Sequence, residues 1–437
     1  MTVDARSDLQ NDWRPKTIYA LGFLTLIATF NYLDRSLLGL ALPEIKAEMH
    51  VSDTVLGLVS GLAFVLFYSI LGVPIAWAAD RYNRRNIIAI GFGFWSLMTM
   101  LSGFVANIWQ LAIARFLMGA GEAAGLSPSA SVISDLFRAE RRALALAIFG
   151  TSSAISGIVF FPIVGWIGDI HGWRAMFIAA GIPGVLLALL FVLTVREPVR
   201  GGKEAVATAF QTSTVLETAR FLMRSRTYLL LVAGSTFMGA NLYAAAAWAP
   251  TFLSRVHGMN LTEIASVIGI VRGGVAVLGI IAGGLLIDRL GRNRPKMRAR
   301  IPAIACFIAG PAEAVFLLSD PAFLWMPAFI VSSFFVLVYQ GPVFALGVSV
   351  VRLQMRAIAT SIMVFSTGLL GQIFGPLIVG MLNDALTPEL GATAIRYSLL
   401  LGAVTPVLAG VMFWLAGEKL EADGALVELK AEPEPAR

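Results

Sequence analysis

The chain has 437 residues, 57% of them hydrophobic and 14% charged, with a formal net charge of +6. A soluble domain carries about 25% charged residues, so this composition excludes a water-soluble globular protein and indicates a polytopic membrane protein. The basic residues are concentrated in alternate loops, which makes the excess charge a topology signal and argues against nucleic acid as a partner.

In chain order, residues 1–16 form a polar N-tail without the apolar core of a cleavable signal peptide. The first apolar span would then act as an uncleaved insertion signal. Twelve spans can be placed, near residues 17–43, 54–78, 86–106, 108–134, 142–168 and 174–194, then 228–254, 262–289, 299–318, 324–350, 354–382 and 393–417. They divide into a six-helix half over 17–195 and a second over 228–417. Between them lies a polar linker, 196–227, whose later part, Glu204 to Arg226, is expected to form an amphipathic surface helix. The acidic C-tail is 418–437. With both ends on one side, that side holds 26 of the 33 Lys and Arg residues. The other side holds Lys46, Arg174, Arg255 and Arg396, and Arg35, Arg115 and Arg272 lie inside spans. The bias predicts cytoplasmic termini. The expected fold is an all-α membrane protein of twelve transmembrane helices in two pseudo-symmetric halves.

Charge inside the spans is the functional signal, because a charge at membrane depth is costly and usually faces a wet cavity or a partner. Asp34 and Arg35 sit inside the first span. The fourth carries Arg115 and Glu122, seven residues apart, so the two share one helix face about 10 Å apart along the axis. Gly119, Gly121 and Gly125 allow another helix to approach that segment closely. A static ion pair locking two helices is the alternative reading. Adjacent residues diverge by about 100° on a helix, so Asp34 is expected to point at Arg115 and Arg35 into the cavity. Arg272 interrupts the eighth span as a cavity cation or as a snorkelling side chain. Glu313, near a span end, is expected outside the cavity. Asn31, Tyr32, Tyr68, Asn241, Tyr243, Tyr339 and Gln340 are candidates for the cavity wall, each with a plain packing alternative.

An internal repeat supports two parallel halves. Asp80-Arg81-Tyr82-Asn83-Arg84-Arg85 follows the second span, and Gly284 to Arg292, containing Asp288, Arg289 and Arg292, follows the eighth. The two aspartates are 208 positions apart, and the counterpart of Arg272 at that offset is Phe64. Phe161-Pro162 and Gly375-Pro376 correspond in spans five and eleven. Two such halves place a substrate cavity near the bilayer midplane. The basic loops read as a conformational latch or as topology signals. The single cysteine, Cys306, excludes an internal disulfide, and no Cys/His cluster, His-Glu-x-x-His run, Gly-x-Ser-x-Gly elbow or nucleotide loop is present. No metal, cofactor or catalytic residue is expected.

These features together resemble the major facilitator superfamily. The Asp80 and Asp288 loops resemble its best-known signature, with Ala76 and Asn83 in place of two glycines. Arg115 to Gly121 is similar to its fourth-helix motif, and Gly371-x-x-x-Gly375-Pro376 to its glycine-proline motif, whose fifth-span copy has Phe161 before Pro162. Asn31-Tyr32-Leu33-Asp34-Arg35, Ala79 to Arg85, Gly121-Glu122-Ala123 with Pro128, Ser134-Asp135-Leu136-Phe137 and Gly172-Trp173-Arg174 resemble the spinster branch. The resemblance implies a secondary transporter working by alternating access, with Asp34 and Glu122 as proton-coupling carboxylates. Arg35 and Arg115 would bind a substrate anion or control those carboxylates. The cargo would be a lysophospholipid, a sphingolipid or another anionic solute, carried by a monomer in a bacterial cell membrane with lipid and protons as its partners. An organic-anion:proton symporter, an uncoupled facilitator and a lipid scramblase are the rival readings.

Overall fold

The computed structural model describes residues 13–198, 200, 214–291 and 294–428. Twelve helical crossings account for the described chain. They are α1 (Pro15–Met49), α2 (Asp53–Arg81), α3 (Arg84–Ser102) and α4 (Ile108–Glu122, continued by Leu126–Leu136), followed by α5 and α6 within Ala139–Thr194. After the short helix Val215–Leu222 come α7 (Arg226–His257), α8 (Leu261–Gly291), α9 (Pro295–Leu318), α10 (Ala322–Ser349), α11 (353–390) and α12 (394–420). Gly172, at φ 78°, breaks α5 from α6, a left-handed conformation that costs glycine little. Of the amphipathic linker helix expected over Glu204 to Arg226, residues 214–226 are described, and they contain the short helix Val215–Leu222.

Seven segments are long and apolar enough to cross a membrane by length and composition. Two of them, of 56 and 68 residues, exceed twice the roughly 20 residues one crossing needs. The other three crossings are the less uniformly apolar ones. Asp34 and Arg35 fall within α1, α3 begins at Arg84-Arg85, and α4 is interrupted between Glu122 and Leu126. Side chains exposed at mid-helix are apolar, among them Ile70, Val73, Ile113, Leu189, Leu278 and Val404, as a lipid-facing surface requires.

The chain forms two compact units, and their boundaries are not those of the two sequence halves. The first comprises Met1–Val51, Leu62–Thr208 and Met259–Gly269; the second comprises Ser52–Gly61, Ala209–Gly258 and Ile270–Arg437. The start of α2 therefore packs with the second unit and the start of α8 with the first. Each start is held by one carboxylate. In the second unit Asp384 accepts from the backbone N–H of Asp53 (2.9 Å) and Thr54 (2.7 Å) and from the Thr54 hydroxyl (2.6 Å). In the first unit Asp169 accepts from the N–H of Leu261 (2.8 Å) and Thr262 (2.9 Å), and from the Thr262 hydroxyl. The first turn of a helix presents unpaired N–H groups and a positive dipole end, so an anion there is favourable. Thr54 and Thr262 are 208 positions apart and the two aspartates 215, so the caps repeat with the internal duplication.

In the first unit close backbone contact sets the rotation of α4. A Cβ on Gly119 would lie 2.2 Å from the Phe64 carbonyl oxygen, and one on Gly121 would lie 2.9 Å from Trp95 Cβ. Only glycine admits these approaches, which seat α4 against α2 and α3. The second unit is built on α7, α9 and α12 around Tyr228, Met238, Cys306, Tyr339 and Phe413. Tyr339 stacks on Phe413 with ring centroids 5.8 Å apart.

Candidate functional site

The charged residues singled out in the first and fourth spans come together inside the first unit. Asn31, Asp34, Arg115 and Glu122 are buried, each at most 2% exposed, and the Arg35 side chain is 21% exposed. Arg35 is thus the accessible member of the cluster. Its Nε donates to Glu122 Oε2 at 2.7 Å, and the Asn31 amide donates to the same oxygen at 2.9 Å. Arg35 also lies over Phe64 and Tyr68, with its Cζ 5.0 and 4.9 Å from the ring centroids. Arg115 lies over Phe64 as well, at 5.3 Å. Both guanidiniums therefore lie within cation–π range of the Phe64 ring.

The pairing differs from the expected one. Arg35 engages Glu122, and Arg115 Nη1 donates to the Asp34 backbone oxygen at 3.2 Å, not to its carboxylate. The physical reason is helix rotation. The Gly119 and Gly121 contacts turn Glu122 toward the Arg35 side of α1, and Arg115, two turns earlier, meets the backbone of α1. The Asp34 carboxylate is flanked by Trp95 and Thr99 of α3. No ion pair to its carboxylate is formed among the described residues, although Arg115 lies nearby. Nothing in the residue pattern marks this flank, because Trp95 and Thr99 sit in an uncharged span.

In the second unit Arg272 lies in a π-helical stretch of α8, Gly269–Val275, an irregularity frequent at functional sites. Its Nη2 donates to Glu313 Oε1 at 3.2 Å. Glu313, expected outside the cavity, is 5% exposed and also accepts from the Ser332 hydroxyl. Asn241 donates to the Gly402 carbonyl at 2.6 Å and so ties α7 to α12. Tyr32 and Gln340 are exposed, Tyr68 and Tyr243 are half-buried, and Tyr339 belongs to the packed core.

The loop after α2 is a local network. Arg84 Nη1 donates to Asp135 Oδ2 (2.6 Å) and Ser131 (3.0 Å), its Nε to Glu197 (2.9 Å), and Glu197 also accepts from the Arg85 N–H (2.7 Å). Arg200 donates to the carbonyls of Ala79, Asp80 and Tyr82, covering the C-terminal end of α2. Arg81 lies over Trp77 with its Cζ 4.1 Å from the ring centroid. Asp80 is exposed, as is Arg289. Asp288 lines a cavity of about 380 Å³ with Ile287, Arg298, Pro342, Ala345 and Leu346. Arg292 lies outside the described residues. Glu197 and Arg200 were absorbed into the linker by sequence reading; a charged pair flanking Pro198 was the available signal.

A bundle of twelve membrane helices with an internal duplication and charge buried within it is the architecture of a membrane transporter. The chain belongs to the Major Facilitator Superfamily, whose family model matches residues 24–376. Within it the chain is spinster-like. It is 28% identical over 449 residues to protein spinster homolog 1 of Homo sapiens, covering 94% of this chain and 82% of that protein. It is 31% identical over 408 residues to an MFS-type efflux pump of Mycolicibacterium smegmatis, covering 92% and 93%. Among solved structures it is similar to a bacterial homologue of the human lysosomal transporter spinster in an inward-facing, unoccupied conformation. The TM-score is 0.83 at 26% identity, covering 97% of this chain and all of that one. The protein is therefore a multi-pass membrane transporter of small molecules by alternating access, and not an enzyme.

Proposed function

We propose that the protein is a proton-coupled symporter of an anionic or amphipathic solute, with Asp34 and Glu122 as coupling carboxylates and Arg35, Arg115 and Arg272 as the cations that meet the solute or control those carboxylates. The observation that carries this reading is the Arg35–Glu122 pair at 2.7 Å, with Arg35 as the accessible partner. An acidic group that engages Arg35 draws it away from Glu122. A buried carboxylate that loses its counter-charge is costly, and a proton replaces the cation at Glu122. Asp34, buried and without an ion-pair partner for its carboxylate among the described residues, is the second proton position on the same grounds. Linkage then requires protonation to favour solute binding in return, which is the thermodynamics of symport.

Two solute classes fit an acidic head on an amphipathic or polar body. Similarity to the spinster proteins supports a lysophospholipid or sphingolipid. A second reading is a sugar acid, supported by 27% identity over 427 residues to a probable galactarate/D-glucarate transporter of Bacillus subtilis. An uncoupled facilitator and a lipid scramblase are the rivals. We further propose residence in a bacterial cell membrane as a monomer, with both termini cytoplasmic on the evidence of the loop charges. The Asp80, Arg81, Arg84, Arg85, Asp288, Arg289 and Arg292 loops are proposed to hold the cytoplasmic side closed in one state of the cycle.

The test begins with the lipids and acids that co-purify with the protein. Each is offered to proteoliposomes carrying an internal pH indicator. Internal acidification that accompanies uptake, and scales with it, supports coupling; uptake without a proton signal makes the protein a facilitator, and bilayer flipping without accumulation makes it a scramblase.

A further inference from the structure

The second unit contains a charged cluster whose anion, Glu313, has no part in the coupling scheme. Arg272 and Glu313 have no counterpart in the internal repeat, since the position matching Arg272 is Phe64. They are nevertheless assembled with care. Glu313 is fixed by two groups from two other helices, Arg272 on α8 and the Ser332 hydroxyl on α10. Arg272 lies over the Phe329 ring of α10, its Cζ 5.2 Å from the centroid. Gly402 of α12 lies beside the pair, where a Cβ would stand 3.9 Å from the Glu313 side chain.

The pair is incompletely satisfied on the cation's side. A guanidinium carries five N–H donors and holds a carboxylate best through two parallel bonds. Here a single bond of 3.2 Å joins the two residues, and the Arg272 Nε–H has no partner. The neighbouring Ser333 hydroxyl is 2% exposed at the residue level and is also unmatched. Among the described residues, the groups that engage Glu313 are Arg272 and Ser332. A permanent structural bridge in an apolar span is expected to use the fork of the guanidinium fully, because both charges pay desolvation. A bridge built to open leaves donors available for a second acid.

Resting on the anionic-solute reading given above, we infer that Arg272 is an anion-binding group of the second unit and that Glu313 is its resident counter-anion, displaced when the acidic group of the solute arrives. On displacement Glu313 keeps the Ser332 hydroxyl and takes up a proton in place of the lost cation. The solute class that fits carries a phosphate or carboxylate able to accept from Nε and an Nη together. This makes the wild-type affinity a competition: the intrinsic affinity of Arg272 is reduced by the fraction of molecules in which Glu313 occupies it. Removing the competitor strengthens binding, the opposite of what loss of a structural residue does.

Binding is measured by isothermal titration with the detergent-purified full chain. The probes are 1-oleoyl-lysophosphatidate and galactarate, with 1-oleoylglycerol and galactitol as their uncharged counterparts. The two acids distinguish a lipid head group from a free sugar acid at the same site. Glu313→Gln is expected to bind one acid about tenfold more tightly, the change produced when a competitor occupying about nine-tenths of the sites is removed, while its uncharged counterpart is unaffected. Arg272→Gln is expected to bind the same acid at least tenfold more weakly. If Glu313→Gln fails to fold, the double variant Arg272→Gln/Glu313→Gln leaves no unpaired charge, and its loss of acid binding supports the inference. An acid that binds wild type and the variants alike returns the pair to a structural role and overturns the inference while leaving the anionic-solute reading intact. Wild-type binding of an uncharged probe alone, or of none of the four, removes the anionic-solute reading and this inference together.

Discussion

Arg35 and Arg115 are both cations facing the same aromatic ring, yet their surroundings assign them different work. Arg35 is accessible and bound to a carboxylate oxygen; Arg115 is buried and bound to a backbone oxygen. Arg35→Ala is therefore expected to raise the half-saturation concentration of the solute by tenfold or more, on the scale of a charge-assisted contact of about 1.5–3 kcal/mol. Uptake titrations check this, and an unchanged value would remove Arg35 from the solute path. Arg115→Ala is expected to act on folding first, lowering the melting temperature in detergent. A Gly119→Leu change should do the same through overpacking of about 1–3 kcal/mol, since its Cβ would meet the Phe64 carbonyl. A melting curve identical to wild type would contradict the close approach. The four charged residues of this cluster were legible in the sequence because each interrupts an apolar run. Their pairing was not, because adjacent residues such as Asp34 and Arg35 diverge by about 100°, and which one meets α4 depends on a rotation set by glycine contacts. The Trp95–Thr99 flank of Asp34 was silent for another reason: neutral residues in an apolar span carry no mark of what they face.

At the scale of the helix, the ends do more than the middles. The capping carboxylates Asp169 and Asp384 each satisfy two backbone N–H groups and a threonine hydroxyl. Replacing a cap by alanine costs about 1 kcal/mol, so Asp384→Ala should speed hydrogen exchange at the amides of Asp53 and Thr54 by roughly fivefold. Asp169→Ala should do the same at Leu261 and Thr262 and leave residues 53 and 54 untouched. Exchange that is unaltered, or altered at both starts by either variant, would show that the caps are not independent local devices. The twelve spans themselves were readable from hydropathy, and the duplicated signature loops from their spacing. The assignment of the α2 start to the second unit and of the α8 start to the first was not, since the pattern that marks a helix as apolar does not say which neighbours it packs against.

The whole molecule was the easiest level to read: composition excluded solubility, loop charge suggested orientation, and the repeat implied two parallel units. Orientation and latch remain proposals, and the latch makes its own prediction. Asp80→Asn removes an exposed carboxylate beside Arg81, Arg84 and Arg85, and should increase labelling of cysteines introduced on the cytoplasmic side while lowering it on the other. Equal labelling of variant and wild type would reduce the loop to a topology signal, a role that its ties to Glu197 and Asp135 also suit.

The central claim is that a proton and an acidic solute exchange places at the Arg35–Glu122 pair. The most direct measurement is pH-gradient-driven accumulation of a radiolabelled solute in proteoliposomes, compared with solute exchange in the absence of a gradient, for wild type and Glu122→Gln. The neutral side chain stands in for the protonated acid. The account predicts that Glu122→Gln retains exchange and loses gradient-driven accumulation. Accumulation at the wild-type level in Glu122→Gln would contradict it.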